Sequence, residues 1–461
     1  MKDRQRFKDT IFPFLFLFLP LIIHAQDTEA SRHATIQYGT ETEIVSLIQT
    51  LRNEKAESFD SELVALIETT RNQKVLSGIF GFFGEREKSG LETRAIRAIT
   101  RRDEEANETV ISAIDYLGRV KYAQTAFAKQ AASAIMDLLD TEERRFLNVG
   151  FRALGRASSY DKEAADETAE FLIDYYEYRN PGSDNQREVI IAIGATGSLK
   201  GVSFLAELAQ NTDERVPIRT AALDALSKIG DSGGLEAILV CVGTSDPGVR
   251  SAAVAALGPF SGDAVDSAIL DAFRDSYYRT RIAAAQASRD RRLAAAVPYL
   301  KYRAERDDVP NVKDEAIRAL GAIANEEAIS ALDSLFSERR NADRVRLIAA
   351  EMLMKNSGSR NLNRLIIELD EAKTMNQTSL YNGFLKVIGE TVVSGDKTDM
   401  LNITRRFLRS GSIMEKLYGL DMAANNSLAT LGDEIKSLAS DRNESLARKA
   451  RRTAETLGIE I

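Results

Sequence analysis

The sequence predicts an all-α chain, an α-α superhelix of stacked helix pairs. Two observations carry that prediction. A short motif returns at a fixed period, with basic residues at Arg219, Arg250, Arg281, Lys313 and Arg346 spaced 31, 31, 32 and 33 residues apart. Within each period the apolar residues recur at helical spacing, as Val249, Ala253, Ala256 and Leu257 do at i, i+4, i+7 and i+8. Length alone, 461 residues, suggests about three domains. A fixed period of this size points instead to one repeat array.

Each period reads as two helices. Asp246 is placed to cap the first, and Pro247 follows in the first turn, where its missing N–H costs nothing. Alanine on the buried face lets neighbouring helices approach closely, while Val249 and Leu257 supply apolar area. Gly258 ends this helix, and Pro259 to Gly262 turn the chain. The second helix then spans Ala264 to Phe273, with Val265, Ile269, Leu270 and Phe273 on its apolar face. The equivalent helix one period later opens at Ala296-Val297-Pro298.

The frame Asp246-Pro247-x-Val249-Arg250, continued by Ala252-Ala253-x-x-Ala256-Leu257-Gly258, resembles HEAT repeats, specifically the short HEAT-like subtype first associated with bilin lyases. The match is strong from about Gln186 to Glu351 and weaker beyond, although Lys386 to Gly389 and Thr456 to Gly458 keep the helix-ending pattern, as do Arg152 to Gly155 and Asp115 to Gly118 upstream. The resemblance implies a HEAT-type right-handed solenoid over residues 181–461, preceded by divergent helical repeats over 41–180. Residues 41–110 fit the template loosely, as a terminal capping repeat does. Asn180 to Gln186 reads as the clearest loop.

Residues 1–25 read as a secretory signal peptide, and 26–40 as an N-terminal linker. Lys2, Arg4, Arg6 and Lys8 precede the apolar run from Thr10 to Ile23, and Ala25 completes a small-residue cleavage site. That run contains Pro13 and Pro20 and falls short of a membrane span. The reading predicts export, to a periplasmic or extracellular location. Cleavage shifts the net charge from −8 to −10 and leaves His33 and Cys241 as the only residues of their kinds. Cys241 sits in the apolar stretch Leu235 to Val242 and is expected to be a buried structural thiol.

The recurring bases could be taken for a stripe tracking a polyanion. In HEAT-like families the equivalent residues pair with acids between repeats, and Asp213, Asp246, Asp275, Asp308 and Asp343 are the partners this sequence offers. An inter-repeat ladder of these ten residues is therefore the preferred reading. A chain of this acidity also argues against nucleic acid as a ligand. Further basic clusters, such as Arg405/Arg406/Arg409 and Arg448/Lys449/Arg451/Arg452, read as solvated helix faces. Gly194 to Gly201 superficially resembles a phosphate loop, but its spacing fails and a helix precedes it, so an inter-helix turn is expected.

Two aromatic groups are candidate partner contacts: Phe80, Phe82 and Phe83, and the tyrosines Tyr175, Tyr176, Tyr277 and Tyr278. Burial in the core is the competing reading for both. HEAT-like hydroxylases hold iron with His-Glu pairs, and two His in the whole chain are too few for such a site. Neither a Ser/His/Asp set nor a calcium loop occurs in the sequence. No catalytic, cofactor-binding or metal-ligating residue is assigned.

The expectation is an exported, non-enzymatic scaffold or adaptor that binds a protein partner along the solenoid. Two alternatives remain open at this point. One is a lyase-like HEAT enzyme or ligand-binding protein acting on a tetrapyrrole or similar small molecule, an idea that rests on fold analogy. The other is a peripheral membrane-associated module using Phe80 to Phe83.

Overall fold

The computed structural model describes residues 29–179, 181–357 and 359–461. The signal segment 1–25 lies outside the described residues. All regular structure among those described is helical, in 26 α-helices and a few short 3-10 turns. The chain separates into two compact units, one ending at Ala123 and one running from Gln124 to Ile461.

The first unit holds six helices, from Glu29–Tyr38 to Asn107–Arg119. Most of the segment read as a linker is helical, over Glu29–Tyr38, and Ile36 of that helix is buried. Thr40 and Glu43 form a capping box that starts helix Glu41–Glu54. Helix Gln73–Glu85 is the core of this unit and packs against both Glu41–Glu54 and Asn107–Arg119. Phe80, Phe82 and Phe83 on it are at most 1% exposed. The glycines interleaved with them face closely packed neighbours: a Cβ at Gly84 would stand 3.4 Å from the Tyr116 backbone. Small residues thus admit the adjoining helix while the rings fill the space between. This overturns the surface reading of Phe80, Phe82 and Phe83, because burying three rings outweighs keeping them at a water-facing patch.

The second unit holds twenty helices, from Thr125–Asp140 to Glu444–Thr456, arranged as ten successive pairs. The second helices of the pairs stack on one another in one continuous layer, while the first helices form a looser layer beside them. Small residues set the spacing of the tight layer. A Cβ at Gly155 would lie 2.4 Å from the Ala192 carbonyl oxygen, and one at Gly194 would lie 2.6 Å from the Ala225 Cα. Helices Arg144–Ser158, Ser183–Thr196 and Val216–Ile229 therefore meet nearly backbone to backbone.

Local chemistry starts and stops these helices as the residues dictate. The Asp246 side chain accepts the Val249 N–H at 2.9 Å, and Pro247 occupies the first turn of helix Pro247–Ala256. Gly197 and Gly230 end their helices with φ of 69° and 68°, values that residues with a side chain rarely adopt. The predicted loop before Gln186 is shorter than expected. Ser183 already opens helix Ser183–Thr196, because the polar run there supplies a first helical turn rather than a linker, and the Asn185 and Gln186 N–H groups both donate to the Gly182 carbonyl. No described helix is long and apolar enough to cross a membrane.

Candidate functional site

The recurring bases bond in two ways, and only Arg250, Arg281 and Arg346 join one helix pair to the next; Arg219 and Lys313 bond within their own pair. Arg219 and Arg346 reach back to the end of the preceding helix, where the Arg219 Nε donates to the Ala209 carbonyl at 2.9 Å and the Arg346 Nε to the Phe336 carbonyl at 3.0 Å. These carbonyls end a helix and have no partner within it. Cys241 donates its thiol to the same Ala209 carbonyl at 3.3 Å. Burial pushes the Cys241 thiol up, with the Arg219 charge opposing, so the thiol stays protonated.

Arg250 and Arg281 reach forward. Arg250 binds Asp275 bidentately at 2.8 and 3.1 Å, and Arg281 binds Asp307 at 2.7 and 2.7 Å. Each also donates to two carbonyls of its own inter-helix turn: Thr244 and Ser245 for Arg250, Asp275 and Ser276 for Arg281. Asp275 therefore links two rungs, its carboxylate to Arg250 and its carbonyl to Arg281. Burial pushes the Asp275 carboxyl up, but the hydrogen bonds from Arg250 and the Tyr277 N–H outweigh it, and the group titrates below the usual Asp range. Arg346 adds an ion pair to Glu368 at 2.6 Å. Lys313 reaches only the Glu305 carbonyl, at 3.1 Å.

The acids named from the sequence divide by position. Asp275 takes a rung. Asp308 is 88% exposed and meets Arg281 at 3.1 Å, whereas its neighbour Asp307 is the buried partner. Asp246 is spent on a helix cap, and Asp213 and Asp343 are exposed outside the rungs. Asp307 and Glu368 were missed. Asp307 had a signal, since it lies one period after Asp275 and each carboxylate accepts the N–H two residues on.

The tyrosines also separate. Tyr175 is buried, in edge contact with Phe151 at 5.1 Å. Tyr277 and Tyr278 are half-buried and touch each other. Tyr176 is half-buried and lines a groove of about 720 Å³ between helices Lys162–Tyr178 and Val202–Gln210, with Phe204, Leu208, Glu177 and Glu207. Phe204 and Glu207 carried no sequence signal of their own. A second cavity, of about 730 Å³, forms around the turn Gly194 to Lys200 and includes Tyr160, Leu199, Lys162 and Lys228. The three lysines there pair with Asp166, Glu170 and Asp224. Among the described residues no cluster of three or more His, Cys, Asp or Glu could hold a metal.

Several solved structures are similar to this chain. Kap121p matches at 12% identity over 92% of this chain and 53% of that one, with a TM-score of 0.46. Kap95p, in a structure with RanGDP, matches at 13% identity over 93% and 60%, with a TM-score of 0.48. Human deoxyhypusine hydroxylase matches at 18% identity over 59% and 99%, with a TM-score of 0.25. The chain thus spans about half the length of Kap121p. No curated protein sequence matches it significantly. The family described as spirochaete HEAT repeat protein matches residues 36–453, nearly the whole of both helical units, and the chain belongs to that family.

Proposed function

We propose that this chain is an exported, non-enzymatic scaffold that holds a protein partner along the surface of its helical repeats. One observation carries the reading: in the second unit Arg250, Arg281 and Arg346 of the recurring basic positions join successive repeats, and the helix pairs stack into a two-layer surface over ten pairs. Export rests on the basic and apolar pattern of residues 1–25. The test is crosslinking in intact cells, followed by capture of the tagged chain and by fractionation. A reproducible protein partner from the envelope or medium supports the proposal. A cytoplasmic chain would overturn export, and the absence of any reproducible partner would overturn the scaffold.

A second reading, in the bilin-lyase direction, is binding of a tetrapyrrole or similar small molecule. The cavity around Gly194 to Lys200 favours it, since its volume suits such a ligand and its rim sets Tyr160 and Leu199 beside polar groups. A visible-absorbing ligand that copurifies and is lost in Lys200→Glu would support this reading; a colourless protein that binds no added tetrapyrrole would exclude it.

A further inference from the structure

The second unit brings aromatic side chains together at its helix contacts, and the chain seats its own guanidinium groups on several of these pairs. Arg274 lies 5.1 Å over Tyr299, which is stacked on Phe273, and donates to the Tyr299 hydroxyl at 3.2 Å. Arg179 lies 5.4 Å over Tyr175 of the Phe151–Tyr175 pair. Arg346 and Arg364 lie 5.8 and 5.3 Å over the two rings of the Phe384–Phe336 pair. A ring face attracts a cation through its quadrupole, and a planar guanidinium can stack on the ring while its edge hydrogen-bonds elsewhere.

Tyr176 and Phe204 form another such pair, with ring centroids 5.3 Å apart at an interplanar angle of 75°. Among the described residues no cation of the chain is seated on it. Arg215, whose charge reaches Tyr176, donates to Gln186 instead. The flanking groups are acidic: Glu177 and Glu207 are both exposed beside the rings, and neither carboxylate is engaged in an ion pair among the described residues. The Tyr176 hydroxyl is buried without a hydrogen-bond partner.

We propose that the Tyr176–Phe204 groove receives an arginine side chain from an extended segment of the partner protein. The guanidinium takes the place that Arg274 takes on Tyr299. Its face lies on the aromatic pair, and its charge is met by Glu177 and Glu207. The inference rests on the scaffold reading and specifies the chemistry of the partner. An acidic chain attracting a basic segment also matches the overall charge of −8.

The test titrates the full chain, labelled at its leucine methyl groups, with a glycine–serine peptide carrying one arginine and with the same peptide carrying neutral citrulline. The expected result is a shift of the Leu208 methyl resonances and binding about tenfold tighter for the arginine peptide. Glu177→Gln with Glu207→Gln should abolish that difference. Tyr176→Leu, which removes the ring face, should reduce it, with unchanged circular dichroism showing that the variants fold. Equal responses to both peptides, a silent Leu208, or an arginine response untouched in the variants would overturn the groove assignment. No native partner is needed here, so the two proposals fail separately. A captured partner with a silent Leu208 sinks the groove alone, and a responsive Leu208 with no captured partner sinks the scaffold alone.

Discussion

Arg281 holds Asp307 through two parallel hydrogen bonds of 2.7 Å, and the carboxylate that receives them is shut off from solvent. Asp307 also accepts the Val309 N–H at 3.0 Å, so one side chain both joins two repeats and sets the turn into helix Pro310–Ile323. Removing one partner strands a buried charge, whereas removing both does not. Asp307→Ala should therefore lower stability by about 3–5 kcal/mol, and Arg281→Met combined with Asp307→Leu should cost less than that single change. Thermal unfolding compared across the three proteins checks the order.

The same joints predict how the protein responds to acid. At Asp275 and Asp307, and at Glu415 and Glu434, which pair with Lys373 and with Arg405 and Arg409, burial pushes the carboxyl up, but donated hydrogen bonds and nearby cations outweigh it and hold each below its ordinary value. A carboxyl lowered on folding contributes stability that is fully present above its unfolded pKa and is lost as pH falls through its folded one. Helicity should be level from about pH 8 to 5 and decline below about pH 4, where these groups begin to protonate. Circular dichroism against pH reads this directly. Loss of helicity that begins at neutral pH would contradict it.

How far the sequence reveals the molecule depends on the range of each interaction. The repeat was legible because Val249, Arg250 and Ala253 recur on one helix face and each needs only its own turn to be placed. The choice of Asp307 over Asp308 was not, because two adjacent acids differ only in which one the backbone turn directs inward. For Phe80, Phe82 and Phe83 the apolar run favours core over an exposed patch, and helices Glu41–Glu54 and Asn107–Arg119 close over them. Tyr176 could be named but not its companion Phe204, since they meet only through the stacking of two repeats.

Close helix approach is the next testable element. Any side chain at Gly155 meets the Ala192 carbonyl, so Gly155→Ala should destabilise the second unit by about 1–3 kcal/mol despite alanine's better helix propensity. Urea unfolding monitored by circular dichroism measures it; a stabilised variant would show that the helices have room to separate.

Burial of the phenylalanine cluster separates packing from membrane binding. Phe82→Ala or Phe83→Ala should cost about 3–5 kcal/mol, and hydrogen exchange should rise first in helix Gln73–Glu85. Liposome flotation should not distinguish folded wild type from folded variant.

The central claim is that the repeats of this chain hold a protein. Photocrosslinking amino acids placed one at a time at exposed positions on alternate helix pairs, such as Tyr178, Val240 and Tyr302, measure this most directly in intact cells. The account predicts one partner protein crosslinked reproducibly from positions on more than one repeat. Crosslinks that scatter over unrelated proteins, or none above background at any position, would contradict it.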